Sequence, residues 1–168
     1  MGERRSILLK QIKYEGLFNV IDIFNLTDDW IKDKGYDRSE AVNEEIMGEK
    51  GKQIRVKFLP WKKTSDYAKN VLKLKFMFHE VNDVIVEIDG SKKKIQKGRV
   101  EVTIEGYIET DYEGKMQNRP FYFFMRELFD RFFYKLYTRQ AEGLLIGDAD
   151  QFWLLMRQYF NMHSSKKI

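Results

Sequence analysis

The chain has 168 residues, with 30 lysines and arginines against 26 aspartates and glutamates, two histidines and no cysteine. This length suits one domain, which buries about two-thirds of its unfolded surface, and 43% hydrophobic content with two prolines excludes a disordered chain. The missing cysteines exclude disulfides, thiol catalysis and thiolate metal sites, while a net charge of +4 permits nucleic acid or an anionic membrane as partner without requiring either.

The first ten residues are charged from the outset and lack the apolar core of a signal peptide. No window holds about eighteen or more apolar residues free of charge, so no membrane-spanning helix is expected. Together with the absence of cysteine, this places the protein in the cytoplasm as an expectation.

Residues 7–14 form the first expected strand, with Leu8, Ile12 and Tyr14 on one face. A helix follows over about 17–34: Val20, Ile23, Phe24, Thr27 and Ile31 recur at helical spacing, and Gly35 is suited to stop it. Asn25, or Thr27 with Asp28, is suited to interrupt it. Residues 41–47 alternate as a strand, although Ser39 also suits a helix cap; the glycines at 48 and 51 tip the reading to a strand and hairpin. Ile54, Val56 and Phe58 alternate with Arg55 and Lys57 until Pro60, and Leu72, Leu74, Phe76 and Phe78 alternate with Lys73 and Lys75. Val84, Val86 and Ile88 then lead into a turn at Asp89 and Gly90. Residues 99–110 give the clearest strand, with Val100, Val102, Ile104 and Ile108 opposite Glu101, Thr103, Glu105 and Glu109.

Such alternation predicts an antiparallel sheet with one covered and one wet face. The wet face carries cations on two strands (Arg55, Lys57, Lys73, Lys75) and anions on another. If those strands are neighbours, cross-strand pairs follow, each contributing about 0.2–1 kcal/mol.

Nine of the 25 aromatic residues fall within residues 119–137. On a helix, Phe121, Phe124, Leu128, Phe132 and Leu136 make one row, and Tyr122, Phe129, Phe133 and Tyr137 make a second beside it. A helix apolar over more than half its circumference buries two sides. One covers the sheet; the other requires a second helix, a second subunit or an apolar ligand. Pro120 suits its first turn with Asn118 as cap, and Gly143 and Gly147 loosen its end. Asp148 and Gln151 then resemble a capping box for a last helix over about 149–162, with Phe152, Met156, Tyr159 and Phe160 as its apolar row and Trp153 beside it. The tail 164–168 frays. The expected architecture is one α+β domain: helix and sheet over 1–118, with C-terminal helices over 119–163 packed on it. Its twisted antiparallel sheet has five or six strands and is covered by the N-terminal helical segment and the aromatic helix.

No catalytic or cofactor motif stands out. Two histidines cannot build a histidine-rich metal centre, and neither has a His, Asp or Glu partner at i+4 on an expected helix. His79 reads as a surface imidazole at a strand end, and His163 falls in a fraying end. No glycine pattern opens a helix after a strand to cradle phosphate.

Two surfaces remain. An apolar surface or pocket beside the aromatic helix, with Phe121, Phe124, Leu128, Phe129, Phe132, Phe133 and Trp153, suits a hydrophobic ligand, a protein partner or homodimerisation. This non-catalytic binding is the favoured function. The alternative is an RNA- or ribosome-associated protein that contacts phosphates through Lys92, Lys93, Lys94, Lys97 and Arg99. Trp61, beside Lys62 and Lys63, is placed to extend that basic surface. A small-molecule enzyme would need a buried polar group in a cavity, for which Tyr107 and Tyr122 are the candidates.

The order of strand, helical segment, antiparallel strands and long C-terminal helix resembles the helix-grip fold of the START-like superfamily. That resemblance implies a curved sheet gripping the last helix around an apolar cavity. It is one of element order, with five or six strands where that superfamily has seven, and it transfers no site residue. Residues 30–37 and 97–102 also look like segments of uncharacterised archaeal proteins, which imply no activity.

Overall fold

The computed structural model describes residues 3–37, 42–65, 68–110 and 134–164. In chain order they form β1 (Glu3–Phe18), α1 (Val20–Asp33), β2 (Val42–Gly48), β3 (Gly51–Phe58), β4 (Trp61–Lys63), β5 (Ala68–Ile88), β6 (Ser91–Thr110) and α2 (Tyr134–Ser164). Every pairing is antiparallel, in the order β1-β6-β5-β3-β2 with β4 beside β5. The fold is α+β, as the alternating strands and flanking helical periods predict.

The covered face takes alternate residues of each strand. Phe58, Leu72, Leu74, Phe76, Phe78, Val100, Val102 and Ile104 are buried there. α1 contributes Phe24, whose ring meets Phe58, Phe76 and Phe78 edge-on at 5.9–6.3 Å. α2 contributes Ala141, Leu145, Ala149, Phe152, Met156 and Phe160, a buried row at helical spacing. Phe152 joins the layers, with ring centroids 5.1 Å from Trp30 of α1 and 6.4 Å from Phe76.

α1 begins after Asn19, which caps it, rather than at about residue 17. Asn19 Oδ1 accepts from the N–H groups of Ile21 and Asp22, while Val20 N–H donates to Gln96 Oε1 at 2.8 Å. These bonds satisfy donors that a helix start otherwise leaves unpaired. The expected interruption at Asn25 or Thr27 does not occur. Thr27 is buried and returns its hydroxyl to Ile23 O at 2.8 Å, so it costs the core no unpaired group. At the other end Gly35 stands at φ 73°, with Tyr36 N–H bonded to Ile31 O and Gly35 N–H to Lys32 O. That is the glycine-closed helix end the sequence predicts.

α2 departs from expectation. It runs unbroken through Gly143 and Gly147, where a break and a new start were expected. Each glycine costs about 1 kcal/mol relative to alanine; the buried row on both sides outweighs this. Asp148 is not a cap. Its carboxylate accepts the Tyr36 hydroxyl at 2.7 Å, tying the end of α1 to the middle of α2. Burial, with that carboxylate beside it, holds the Tyr36 hydroxyl protonated far above the usual tyrosine range. Tyr159 makes a second tie, accepting from Asn19 N–H at 2.9 Å, and burial pushes its hydroxyl up to about 12. The expected start of the aromatic helix, at Asn118 and Pro120, lies outside the described residues.

β5 is one strand of 21 residues where two were expected. His79 pairs with Arg99 and Asn82 with Lys97, so Glu80 and Val81 together oppose Gly98. This bulge puts Glu80 at φ 53°. A Cβ on Gly98 would lie 2.8 Å from His79 O and 3.0 Å from Glu80 O, so only glycine fits beneath the bulge. Gly16 of β1 pairs with Gly98, and Gly51 of β3 abuts Glu80 and Val81. The line of glycines and bulge crosses four strands, where such features bend a sheet. It also shifts the alternation. Phe78 and Val81 face the helices, but Val84 and Val86 face away and form a second apolar cluster with Leu17, Ile88 and Ile95. Beyond the line β1 pairs with β6 for two more residues, Leu17 with Lys97 and Phe18 with Gln96, and β5 and β6 then continue as an arm to the turn at Asp89 and Gly90.

Candidate polyanion interface

The outer face of the sheet, away from both helices, is a ladder of charge. β6, with Glu101, Glu105 and Glu109, lies between cationic β5 and β1. Lys73 reaches Glu105 at 3.6 Å, Lys69 and Arg4 reach Glu109 at 4.0 and 3.4 Å, and Lys13 reaches Glu101 at 4.0 Å. On the other flank Arg55 reaches Glu44 at 3.7 Å. Of the cations named from the sequence, only Lys73 meets the acidic strand as predicted; Arg55 and Lys57 lie on β3, which does not adjoin β6, and Arg55 pairs with Glu44 instead. The paired side chains are partly exposed, so each pair contributes little to stability.

Four outer-face lysines stand apart from this pairing. Among the described residues Lys57, Lys75, Lys93 and Lys97 have no carboxylate within 4.0 Å. Lys57 and Lys75 lie directly opposite each other on β3 and β5. Like charges so placed repel. Lys93 and Lys97 lie on the arm, opposite Val86 and Asn82. Lys75 pairs with Thr103, ten residues along β6 from Lys93, which is about 33 Å of extended strand. No sequence signal marks Lys57 and Lys75 as a pair; only the adjacency of β3 and β5 does.

The basic run divides between the two faces of the arm. Lys93, Lys97 and Arg99 point outward, whereas Lys92 and Lys94 lie opposite Glu87 and Ile85 on the other face. Lys94 pairs with Asp83 at 3.3 Å and Arg99 with Glu80 at 3.3 Å. Lys92, Lys93 and Lys97 are exposed and reach no carboxylate among the described residues.

At the bend, Lys13, Glu15, His79, Arg99 and Glu101, with Tyr14 and Val100, line an open cleft of ≈520 Å³. His79 is half-buried within β5 rather than at a strand end. Its Nδ1 lies 2.9 Å from Gln53 Oε1 and its Nε2 3.9 Å from Glu101. With Nδ1–H donating to Gln53, Nε2 is left facing the cleft's carboxylate. No group of three or more metal-ligating side chains occurs among the described residues, and the cleft carries both signs of charge.

Trp61 does not extend the arm's surface. It pairs with Val71 at the opposite end of β5, with Lys69 over its ring at 5.1 Å. Tyr107, across β5 on the same outer face, lies under Arg4 at 5.3 Å. Burial raises its pKa and Arg4 lowers it, with burial the larger effect. Tyr107 therefore does not line an interior cavity between sheet and helices, and Tyr122 lies outside the described residues. His163 is also not in a frayed end. It is buried in the last turn of α2, stacked on Tyr159 at 4.1 Å.

Of the apolar candidates, Phe121, Phe124, Leu128, Phe129, Phe132 and Phe133 lie outside the described residues. Trp153 is half-buried on α2 between Lys10 at 5.1 Å and Arg157 at 4.7 Å, and Lys10 also pairs with Asp150. Sequence patterning gave no notice of Asn70, which is buried at 1% exposure under the first turns of α2. Its Nδ2 donates to Ala141 O at 3.0 Å, and among the described residues its Oδ1 has no partner. No described helix is long and apolar enough to cross a membrane. No protein-family model matches the chain, and no curated protein does.

Proposed function

We propose that the protein binds single-stranded nucleic acid, RNA foremost, along the outer face of the sheet from the arm to the β3–β5 ladder. The carrying observation is that, among the described residues, Lys57, Lys75, Lys93 and Lys97 have no carboxylate within 4.0 Å on a face where Arg4, Lys13, Arg55, Lys69, Lys73 and Arg99 do. An uncompensated row of lysines attracts phosphates and releases their counterions. The half-buried rings of Trp61 and Tyr107, on the same face, supply surfaces for base stacking. Replacing all four lysines with alanine tests this in a fluorescence titration with a labelled single-stranded RNA. The expected result is weaker binding and a salt dependence shallower by about 0.7 per lost contact in log–log slope. Equal affinity and slope in the variant would reject the reading.

A second reading, an apolar ligand held under α2, is favoured by one observation, the unpartnered Oδ1 of Asn70. A ligand donor there would satisfy it, and the helix-grip resemblance implies a cavity between sheet and last helix. The test is native mass spectrometry of the purified protein. Extra mass lost on denaturation supports a ligand, and a bare species rejects it.

A further inference from the structure

The two edges of the sheet are built differently. β1 carries the protections that edge strands use against pairing with another chain. It has a register shift between Ser6 and Leu8, and Arg4, Arg5, Lys10 and Lys13 stud its length. α2 packs along it through Arg5–Glu142 at 3.2 Å, Lys10–Asp150 and the Tyr14–Phe160 stack at 4.6 Å. β2 has none of these. It contains no lysine, arginine or proline, its register with β3 is unbroken, and all seven residues are exposed. Three of those seven are large and apolar: Val42, Ile46 and Met47 are 45%, 64% and 72% exposed.

Its charges face inward along the sheet. Glu44 pairs with Arg55 at 3.7 Å and Glu45 with Lys52 at 2.9 Å, both on β3. Val42, Glu44 and Ile46 share the outer face, opposite Lys57, Arg55 and Gln53. On that face β2 reads apolar, acid, apolar, which is the same in both directions. An antiparallel copy of β2 centred on Glu44 therefore sets Val42 against Ile46 of the second copy, twice. It also sets the two Glu44 side chains across the axis, each backed by its own Arg55. A register centred on Glu45 would instead put Ile46 against Glu44. Apolar matching thus favours the first register, and each Glu44 keeps its own Arg55 partner to offset the two carboxylates meeting at the axis.

We propose that β2 pairs antiparallel with β2 of a second copy about a two-fold axis at Glu44, joining two sheets into one. The occupant is the same chain because the outer-face pattern of β2 is its own complement. The interface is isologous and closes at two subunits.

The absence of cysteine makes the test direct. Directly opposed residues of an antiparallel pair have Cα atoms about 4.5–5.5 Å apart, within the range of about 4.4–6.8 Å for a disulfide. Glu44→Cys in the full chain should therefore link to its own copy under mild oxidation. Glu45→Cys, which faces Asn43 of the second copy and is offset from its own equivalent by about 7 Å of strand, should link at least tenfold more slowly. Val42→Cys mixed with Ile46→Cys should give the mixed disulfide faster than either protein links to itself. Equal rates for Glu44→Cys and Glu45→Cys, or no linkage by a Glu44→Cys protein with an unchanged melting temperature, would overturn the proposal. On native mass spectrometry the parent chain should show a dimer that Ile46→Lys shifts to monomer. A dimer unaffected by Ile46→Lys would put the interface elsewhere and overturn it too.

Discussion

One sheet presents two faces that follow opposite rules. On the covered side, Leu72, Leu74 and Phe76 of the sheet and Phe152 of α2 are fully buried in one apolar cluster. On the outer face, β1, β3, β5 and β6 carry rows of charge joined by cross-strand ion pairs, and among the described residues Lys57, Lys75, Lys93 and Lys97 have no carboxylate partner. The covered face has few solutions, because close packing makes every lost methylene felt. The outer face has many, because exposed pairs contribute little and are replaceable. Uncompensated charge on it is therefore more informative about function than an aromatic ring beneath it.

The largest effect that separates the faces is predicted for Phe152→Ala. This ring bridges Trp30 on α1 and Phe76 on β5, so its loss leaves a void between all three layers. Urea denaturation should show a loss of about 3–5 kcal/mol. A loss below about 1 kcal/mol would mean that the layers do not meet at Phe152. The Lys57, Lys75, Lys93 and Lys97 alanine variant should behave in the opposite way. Each change lies within about 0.5 kcal/mol, so the same titration should leave its midpoint close to that of the parent while RNA affinity falls. Unfolding of that variant would assign the lysine stems to packing.

How far these faces were legible follows from what sets each pattern. Alternation at Val100, Val102, Ile104 and Ile108 is enforced by a sheet covered on one side, so β6 was readable one residue at a time. The bulge at Glu80 and Val81 was not. It shifts the covered side from Phe78 to Val81, and in sequence this looks like the end of one strand and the start of another. Gly143 and Gly147 read as a helix end because propensity is local, whereas the buried row from Ala141 to Phe160 that carries α2 through them is tertiary. The candidate interface was half legible. Lys93 and Lys97 belong to a visible charge run, but Lys57 and Lys75 are eighteen positions apart and meet only because β3 neighbours β5. The aromatic rows at 121–133, the strongest sequence signal, fall on residues outside those described.

The smallest change, a single surface substitution, is also the sharpest discriminator, because stability and binding should move in opposite directions. Lys57 faces Lys75 across the β3–β5 ladder, with Val42 on its other side. Lys57→Glu would turn the directly opposed Lys57–Lys75 pair of the β3–β5 ladder into an ion pair. A structural surface should gain about 0.2–1 kcal/mol from that exchange. A nucleic-acid interface should gain the same stability and lose affinity, since a phosphate contact becomes a repulsion. Natural retention of a repulsive pair is explained if an anion relieves it in the bound state. Thermal melts with and without a single-stranded oligonucleotide measure both quantities on one sample. The variant should melt higher alone and show a smaller ligand-induced rise than the parent. A variant that melts higher and keeps the full rise would show that Lys57 is only a solvated charge, and the proposed track would then have to end at the arm.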